Sequence, residues 1–383
     1  MISRLRLFRS TDEMSRLSSK LEQWFQVDRA VLVGRAALGL LAVLSVWRSR
    51  RPKCGVAMSG AICHEVLLAV LAAGCEPIFC DVDIADGLVP DAEWARARTL
   101  GADVAIVAHL YGNPACMSRI RSIFPASDCL VVDDAAQALG SYSQDGLCGS
   151  LGDVGLLSFG RSKQISIGNG AILVRDLGFA AEIEAFLATI AAPRQDLTLK
   201  SQKEFRSNLD AAREQLIAAE DPDASGFAGL MNGMDWILNV PFNDALSESI
   251  LVAIRDYSQD ALARIEKARI WRCALDGTGM VPVGMGTGCV PWRYACRLPG
   301  IDWRMQAQLA EAIRKCGLDV STWYLPANWF MGQRIGALPG VERLSREVLQ
   351  FWLDVNVAPE SIVDSARAIR RELVRFSQCG VDI

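Results

Sequence analysis

The sequence predicts an α/β fold built on a large, mostly parallel sheet, followed by a smaller C-terminal α+β region. Three short runs, 77–82, 104–109 and 129–133, are apolar at most positions. Strands that are buried on both faces of a parallel sheet show this continuous pattern instead of alternation. Helical stretches at 65–73 and 117–124 adjoin these runs, and such alternation is typical of a doubly wound sheet.

The elements further along the chain complete the large region and then form a second, smaller one. They are predicted, in order, as two strands, two helices, a strand and two helices: 154–159, 171–174, 180–219, 246–273, 292–298, 305–316 and 360–376. A polar loop, 160–170, separates the first two strands, and a glycine-rich turn, 277–288, follows the long helix. We therefore divide the chain inside that helix into a large domain, 1–256, and a small C-terminal domain, 257–383.

Composition limits the class of protein. The 383 residues are 51% hydrophobic and 22% charged, which is enough apolar material for a sizeable core and unlike a disordered chain. Lys and Arg number 40 against 44 Asp and Glu, leaving a net charge of −4. This balance argues against a nucleic-acid partner and against electrostatic docking on a membrane. The apolar stretch 36–47 is too short to cross a bilayer.

The N-terminal segment and the cysteines favour a cytoplasmic protein. Residues 1–22 carry five basic and three acidic side chains and lack the apolar core of a signal peptide. The twelve cysteines have no paired short spacings, and the two histidines are His64 and His109. We therefore expect neither a disulfide scaffold nor a metal site, in a reducing compartment.

One constellation of residues points to chemistry. The run VVDDAAQALG occupies 131–140, GSLGD occupies 149–153, and SFGRSK occupies 158–163. A buried strand thus ends in carboxylates, and Lys163 follows on a later connecting loop. Ligands bind beyond the carboxyl ends of the strands in such sheets, so Asp134 and Lys163 are expected to face one crevice.

These two side chains suit one cofactor chemistry. A desolvated lysine loses its proton more readily and becomes an amine nucleophile for a Schiff base. A carboxylate can hold a protonated ring nitrogen, and this pair is what pyridoxal phosphate requires. Outside this context, Lys163 is a solvated surface lysine, and either Asp133 or Asp134 caps the following helix.

The three motifs resemble those of the DegT/StrS sugar aminotransferases, E-D-A-A-Q-A-x-G, G-S-x-G-D and S-F-x-x-x-K. The likeness extends from about Gly34 to the C-terminus and includes 74–83, 109–112, 323–326 and 338–345. It implies fold type I, the aspartate-aminotransferase-like fold of pyridoxal-phosphate transferases, with pyridoxal 5'-phosphate as the cofactor. It also implies a homodimer with shared active sites.

The resemblance assigns roles to the motif residues. Lys163 is expected to bind the cofactor aldehyde and to carry the proton during amino transfer, and Asp134 to pair with the pyridine nitrogen. Gln137 is expected to hydrogen-bond on the side of the ring hydroxyl, and Ser158 to bind the phosphate. The alternatives are a surface position for Gln137 and a strand-end backbone contact for Ser158.

Further cofactor contacts follow from the same resemblance. The turn Gly34-Arg35-Ala36 takes the place of a Gly-Ser/Thr turn whose N–H groups, at the start of a helix, bind phosphate. Arg35 is expected either to add charge there or to point to solvent. His64 is expected to stack on the ring, because Cys63 occupies the family's aromatic position; the alternative is a cap or a packed residue. Asn243 matches an asparagine that reaches the phosphate from the neighbouring subunit, or else it caps the long helix.

The departures from the family concern the substrate more than the cofactor. The segment 243–246 reads Asn-Asp-Ala-Leu where the family has Asn-Tyr-Arg-Met, so an arginine is missing. The family's Gly-Glu-Gly-Gly is altered at 168–171. Trp323 and Tyr324 are candidates for the border of a substrate pocket, whereas His109 is expected to pack in the core.

The resulting hypothesis is an aminotransferase of glycan or natural-product biosynthesis. It would move an amino group from an amino acid, expected to be glutamate, to a keto sugar, expected to be nucleotide-linked. One alternative keeps the cofactor but changes the substrate to a non-sugar or the reaction to dehydration, although histidine replaces the lysine in such dehydratases. Another is a non-catalytic binding or regulatory relative. A nicotinamide-binding protein is weaker still, since no GxGxxG follows a first strand.

Overall fold

The computed structural model describes residues 2–190, 195–220, 222–234, 238–322, 324–354 and 356–378. Its strands, β1 to β13 in chain order, are Arg29–Val33, Gly55–Ser59, Glu76–Cys80, Ala102–Ala108, Leu130–Asp134, Tyr142–Ser143, Gly146–Leu147, Val154–Ser158, Gly170–Val174, Val281–Pro282, Tyr294–Arg297, Val320–Ser321 and Val348–Phe351. Its helices, α1 to α11, are Ile2–Phe25, Ala36–Ser49, His64–Ala72, Asp91–Thr99, Met117–Ile123, Leu177–Thr189, Gln195–Ala218, Ser247–Ala274, Trp303–Lys315, Pro339–Glu347 and Pro359–Gln378.

Seven strands form one sheet in the order β1-β9-β8-β5-β4-β2-β3. The strands β3, β2, β4, β5 and β8 are parallel, whereas β9 runs antiparallel to both of its neighbours, β8 and β1. The strand β1 therefore points the same way as β8. The carboxyl ends of all the strands except β9 lie at one end of the sheet, and the predicted large, mostly parallel sheet is confirmed.

The apolar runs form strands because both faces of this sheet are covered. Every residue of β2, β5 and β9 is buried. Along β9, Ile172 and Val174 join the core that contains α2 and α3, whereas Ala171 and Leu173 join the core that contains α1. Successive side chains of a strand point to opposite faces, so continuous hydrophobicity is what burial on two faces demands.

The strand register fixes where polar residues leave the sheet. Ala108, the last residue of β4, pairs with Asp134, the last residue of β5. Asp134 in turn pairs with Leu156 of β8, which ends two residues later at Ser158. Asp134 and Ser158 therefore emerge on neighbouring parallel strands, at the same end of the sheet.

A second, antiparallel sheet of order β10-β11-β13-β12 belongs to the C-terminal region. It packs with α9, α11 and the second half of α8 around a separate core that includes Trp271 and Phe351. The first half of α8 contributes Ile254 and Tyr257 to the core of the large sheet. One helix thus takes part in two cores, and the division that we propose after residue 256 falls within it.

Most predicted elements lie within a few residues of their expected bounds. The helical segment expected at 180–219 consists of two helices, α6 and α7, on either side of 191–194, which lie outside the described residues. No counterpart among the predicted elements exists for the helices α1, α4 and α10 or for the strands β1, β2, β6, β7, β10, β12 and β13. None of the helices in the described ranges combines the length and apolarity that a membrane span requires.

Candidate active site

A cleft of about 560 Å³, counting the space at its mouth, opens where the parallel strands end. Asp134, Gln137, Ser158 and Lys163 all line this cleft. Its remaining walls are mostly apolar and come from the loop after β4, the strand β8 and the first turns of α2 and α3. Residues from two of the three motifs, 131–140 and 158–163, are therefore brought to one crevice.

The two neighbouring aspartates occupy different environments. Asp133 is fully buried, and its carboxylate accepts hydrogen bonds from His109 Nε2 at 2.6 Å and from the Leu151 N–H at 2.7 Å. The His109 Nδ1 accepts the Ala115 N–H at 2.9 Å, so the ring proton lies on Nε2 and is donated to Asp133. Asp133 is thus a structural residue, and the carboxylate that faces the cleft is that of Asp134.

The Asp134 carboxyl is buried but only partly paired. Its Oδ1 accepts the Ala136 N–H at 3.0 Å, and no residue in the described ranges donates a hydrogen bond to its other oxygen. Burial raises the pKa of Asp134 above its ordinary value of 3.8, and the Ala136 N–H and the positive charge of Lys163 oppose part of that rise. A proton or a cationic group in the cleft is therefore stabilised beside it.

The GSLGD motif holds the end of β5 in place. The Asp153 carboxylate accepts the Val131 N–H at 2.7 Å, and the Leu151 N–H reaches Asp133. Gly152 lies so close to this strand that a Cβ would stand 2.6 Å from the Val131 carbonyl oxygen. The motif therefore fixes the strand whose last residue is Asp134, although none of its members lines the cleft.

Lys163 lies on a loop that is tied at both ends. The N–H groups of Ile167 and Gly168 donate to the Phe159 carbonyl, and the Lys163 N–H donates to that of Gly160. The Trp292 indole donates to the Ser162 carbonyl at 2.5 Å, and Lys163 Nζ lies 5.4 Å from the centre of the same indole. These bonds position the lysine amine at the cleft, opposite the end of β5.

Gln137 is held on two sides. Its Oε1 accepts the Tyr111 N–H at 3.0 Å, and its Nε2 donates to the Tyr324 hydroxyl at 2.6 Å. Tyr111 adopts a left-handed backbone, with φ of 59°, which turns its N–H towards Gln137. Gln137 is therefore an anchored part of the cleft wall and not a surface residue.

The start of α2 and the end of β8 meet at the cleft. Ala36 and Ala37, the first residues of α2, line it together with Ser158. The first N–H groups of a helix have no partner within the helix and attract anions. Gly170 permits this approach, because a Cβ there would lie 3.0 Å from the Ala36 nitrogen.

The rest of the predicted phosphate turn is arranged differently from the expectation. Gly34 does not line the cleft but packs against the backbone of Val240 and Pro241, where a Cβ would stand 2.1 Å from the Val240 oxygen. The Arg35 guanidinium forms an ion pair with Glu65, and both side chains are about a quarter exposed. Arg35 therefore neither points freely to solvent nor lines the cleft, whereas Glu65 does line it.

His64 is not placed as the sequence analysis expected. Its ring packs on Phe205 of α7, with ring centres 5.3 Å apart, and it does not line the cleft. Cys63, which precedes α3 in an extended conformation, faces the cleft instead. Burial, followed by the Glu65 charge, raises the pKa of Cys63 to about 11, so this thiol stays neutral.

Asn243 also lies away from the cleft in this chain. The Asn169 side chain donates to its carbonyl at 2.8 Å and accepts its N–H at 3.0 Å, and the residue is exposed. These bonds attach its backbone to the end of the Lys163 loop, so it does not contribute to the site from within its own chain. Of the predicted substrate border, Tyr324 meets Gln137, and Trp323 lies outside the described residues.

The family profile of the DegT/DnrJ/EryC1/StrS aminotransferases matches residues 4–209, more than half of the chain. The chain belongs to this family, as its motifs predicted. The profile match thus agrees with the fold and with the arrangement of four motif residues in one cleft, namely Asp134, Gln137, Ser158 and Lys163.

Curated relatives match over a shorter stretch. The L-glutamine:2-deoxy-scyllo-inosose aminotransferase of Streptomyces paromomycinus is 32% identical over 116 residues, which are 30% of this chain and 27% of that protein. The UDP-N-acetyl-3-dehydro-alpha-D-glucosamine 3-aminotransferase of Acidithiobacillus ferrooxidans is 36% identical over 107 residues, 28% of this chain and 29% of its own. The chain thus matches less than a third of the length of these relatives.

The structural likeness spans almost the whole chain. Helicobacter pylori PseC, an aminotransferase involved in the biosynthesis of pseudoaminic acid, shares the fold with a TM-score of 0.76 and 14% identity. The superposition covers 95% of this chain and 92% of that one. A likeness at this identity concerns the fold, and it confirms the predicted fold type I class.

Several residues at the site were missed in the sequence. Glu65 and Cys63 line the cleft, Trp292 supports Lys163, and Tyr111 supports Gln137. The HLYG run that carries Tyr111 follows a predicted strand, which is a signal that ligands lie near. Trp292 offers no such signal, because its role depends on contacts between the two sheets.

Proposed function

We propose that this protein is a pyridoxal-phosphate-dependent aminotransferase that moves an amino group from an amino acid to a keto sugar. The observation that carries the proposal is the meeting of Lys163 and Asp134 in one cleft, from the ends of different strands. The pair supplies an amine for an aldehyde and a buried acid for a ring nitrogen. When bound, the cofactor supplies an electron sink for the carbon that loses or gains the amino group.

The donor set of the cleft fits this cofactor. Asp134 has a carboxyl oxygen without a partner among the described residues, which suits the pyridine nitrogen. Ser158 offers a hydroxyl, and the first N–H groups of α2 at Ala36 and Ala37 offer an anion site for the phosphate. Gln137 is held on the cleft wall, where it would face the hydroxyl side of the ring, as the family resemblance implies.

Each of these residues then has a task in the reaction. Asp134 keeps a proton on the ring nitrogen, because its raised pKa reflects a buried site that stabilises a neighbouring positive charge. Lys163 would hold the cofactor through its aldehyde, and its Nζ amine would carry the proton at the carbon that loses or gains the amino group. The apolar wall of Ile62, Val66 and Leu156 keeps water from competing for this proton.

The supporting contacts account for the orientation. The GSLGD loop and His109 hold Asp133, and Asp133 in turn holds the strand end that presents Asp134. The bond from Trp292 to Ser162 fixes the loop that presents Lys163. We assign the structural role to Asp133 and the cofactor role to Asp134.

The substrate class is supported by the relatives and not by the cleft alone. Both named relatives are aminotransferases whose names state a keto sugar or a related cyclic ketone as acceptor. We propose a nucleotide-linked keto sugar as the acceptor and glutamate as the donor. The cytoplasm is the proposed compartment, in keeping with the free thiols of the cysteines in the described ranges.

We also propose that the chain acts as a homodimer. Asn243 is exposed beside the Lys163 loop, and its backbone is held there by Asn169. An asparagine presented in this way can serve the phosphate site of a second copy. Light scattering on a size-exclusion column is expected to give twice the mass of 41.7 kDa, and Asn243→Ala is expected to weaken cofactor binding in the dimer. A monomer that binds the cofactor as tightly would contradict this assembly.

The experiment that tests the function uses the cofactor as its own reporter. Purified protein supplied with pyridoxal phosphate is expected to be yellow, to lose that colour with glutamate and to regain it with a suitable keto sugar nucleotide. After borohydride reduction, peptide mass spectrometry is expected to find the cofactor on Lys163. Lys163→Ala removes this link, whereas Lys53→Ala, at an exposed lysine, leaves it intact. A protein that acquires no colour would favour a non-catalytic relative.

A further inference from the structure

Arg293, just before β11, is a buried cation without an acceptor. It is 6% exposed, and no residue in the described ranges accepts a hydrogen bond or forms an ion pair with its guanidinium. Its Nε is buried and unpaired. An arginine carries five N–H donors, and a buried donor such as the one on Nε is costly to leave without an acceptor unless a ligand supplies it.

Two indole rings hold this guanidinium in place. Its Cζ lies 4.3 Å from the centre of the Trp292 ring and 3.8 Å from that of Trp352. Contacts of this kind cover the flat faces of a guanidinium and leave the donors at its edge. That edge matches the oxygens of a carboxylate or a phosphate, which it can bind with two parallel hydrogen bonds.

The position of Arg293 relates it to the cleft. The Trp292 ring is shared by two cations, since Lys163 Nζ lies 5.4 Å from the centre of the ring that Arg293 also contacts. The Trp292 N–H donates to the Tyr111 carbonyl at 3.2 Å, and the Tyr111 N–H in turn donates to Gln137 on the cleft wall. Arg293 itself does not line the cleft but lies just behind its wall, next to residues that hold Gln137 and Lys163 in place.

The surrounding charges leave Arg293 free to take an anion. Asp354 and Asp319 are the acidic groups that act on it, and Asp354 is ion-paired with Arg264 instead. Burial lowers the pKa of Arg293, which shows that its charge has lost water without a full replacement. The segment 243–246, meanwhile, has no arginine.

We propose that Arg293 binds an oxyanion of a substrate, either the carboxylate of the amino donor or a phosphate of a nucleotide-linked acceptor. The proposal rests on the function proposed above, because it assumes substrates that enter the Lys163 cleft. Arg293 acts here as a residue of substrate recognition. It holds the anionic end of the substrate, while the amine or the ketone faces Lys163.

The test compares two arginines on one strand segment. In the holoenzyme, 2-oxoglutarate and uridine diphosphate are titrated separately by calorimetry into wild type, Arg293→Lys and Arg297→Lys. Arg297 is the matched control, because its charge is already paired with Glu347 at 3.1 Å. We expect Arg293→Lys to weaken one of the two ligands by about 10- to 100-fold, as the loss of a charged bidentate contact implies, and Arg297→Lys to weaken neither.

The ligand whose affinity falls in Arg293→Lys identifies the substrate that supplies the oxyanion. A loss for 2-oxoglutarate supports the donor carboxylate, and a loss for uridine diphosphate supports the acceptor phosphate. Arg293→Gln keeps a planar end between the indoles without charge, and it is expected to lose at least as much affinity while keeping its thermal unfolding temperature. Unchanged affinity for both ligands in both Arg293 variants, or binding of neither ligand by wild type, would overturn the proposal. The borohydride test at Lys163 stays independent of either result.

Discussion

Asp133 offers a prediction that depends on geometry alone. Its carboxylate accepts the His109 Nε2–H at 2.6 Å and the Leu151 N–H at 2.7 Å, and both Asp133 and His109 are buried. Asp133→Ala leaves both donors without an acceptor. Each buried donor left unpaired costs about 1–3 kcal/mol, so the free energy of unfolding is expected to fall by about 2–6 kcal/mol.

Two further variants sharpen the estimate. Asp133→Asn keeps one acceptor oxygen but turns an NH₂ group towards the other donor, so it is expected to cost about 1–3 kcal/mol. Asp128→Ala is the control, because Asp128 pairs with Arg98 while half exposed, and such pairs contribute no more than about 1 kcal/mol.

The assay is urea unfolding at pH 7, followed by circular dichroism and tryptophan fluorescence, on protein freed of cofactor. Free energies are compared over the range where the two signals coincide. If Asp133→Ala and Asp128→Ala shifted the transition equally, the hydrogen bonds assigned to Asp133 would not be those that hold the end of β5.

Three more predictions follow from contacts at the cleft. Asp134→Asn is expected to weaken cofactor function but to stabilise the cofactor-free protein. Because folding raises the pKa of Asp134 above 3.8, the stability of the wild type falls as the pH rises from 3.8 through the raised pKa. The variant is therefore expected to unfold at a higher temperature than the wild type at pH 7, and at the same temperature near pH 3. Glu65→Gln is expected to free Arg35 and to tighten cofactor binding a few-fold in a fluorescence titration, since an ion pair of partly exposed side chains contributes about 1 kcal/mol. If Arg35→Ala bound the cofactor as tightly as wild type, a phosphate role for Arg35 would be contradicted. Gly34→Ala is expected to lower the free energy of unfolding by about 1–3 kcal/mol, because its Cβ would meet the Val240 oxygen, whereas Gly286→Ala, with open space around it, leaves the thermal unfolding temperature unchanged.

The parts of the fold that could be predicted from the sequence are those with a local signal. The strands β3, β4 and β5 could be predicted because each is a mostly apolar run. Burial on both faces explains the runs in β4 and β5, whereas β3 is an edge strand and only partly buried. Asp134 and Lys163 were recognised because each follows such a run at the end where ligands bind. The helix α1 was missed, since its buried side chains Leu17, Leu21 and Phe25 are spaced within a charged segment.

The placement of His64 and Arg35 depended on contacts that no local pattern contains. The helix α3 begins at His64, so Cys63 still has an extended backbone and faces the cleft, while His64 is turned towards Phe205. A shift of one residue in the start of a helix rotates a side chain by about a quarter turn or more. Arg35 forms an ion pair with Glu65 because the first turns of α2 and α3 lie side by side, although the two residues are 30 positions apart in the chain.

The helix α8 limits where the chain can be truncated. Tyr257 donates to the carbonyl of Leu139, within the motif that carries Gln137, at 2.6 Å, and Arg264 donates to the Gln164 carbonyl beside the catalytic lysine proposed above. A fragment that stopped at residue 256 would lack both side chains, although they belong to the scaffold of the amino-terminal half. Expression of either half by itself is therefore expected to yield an incomplete site, and truncations meant to isolate the cofactor-binding half must retain this helix to Ala274.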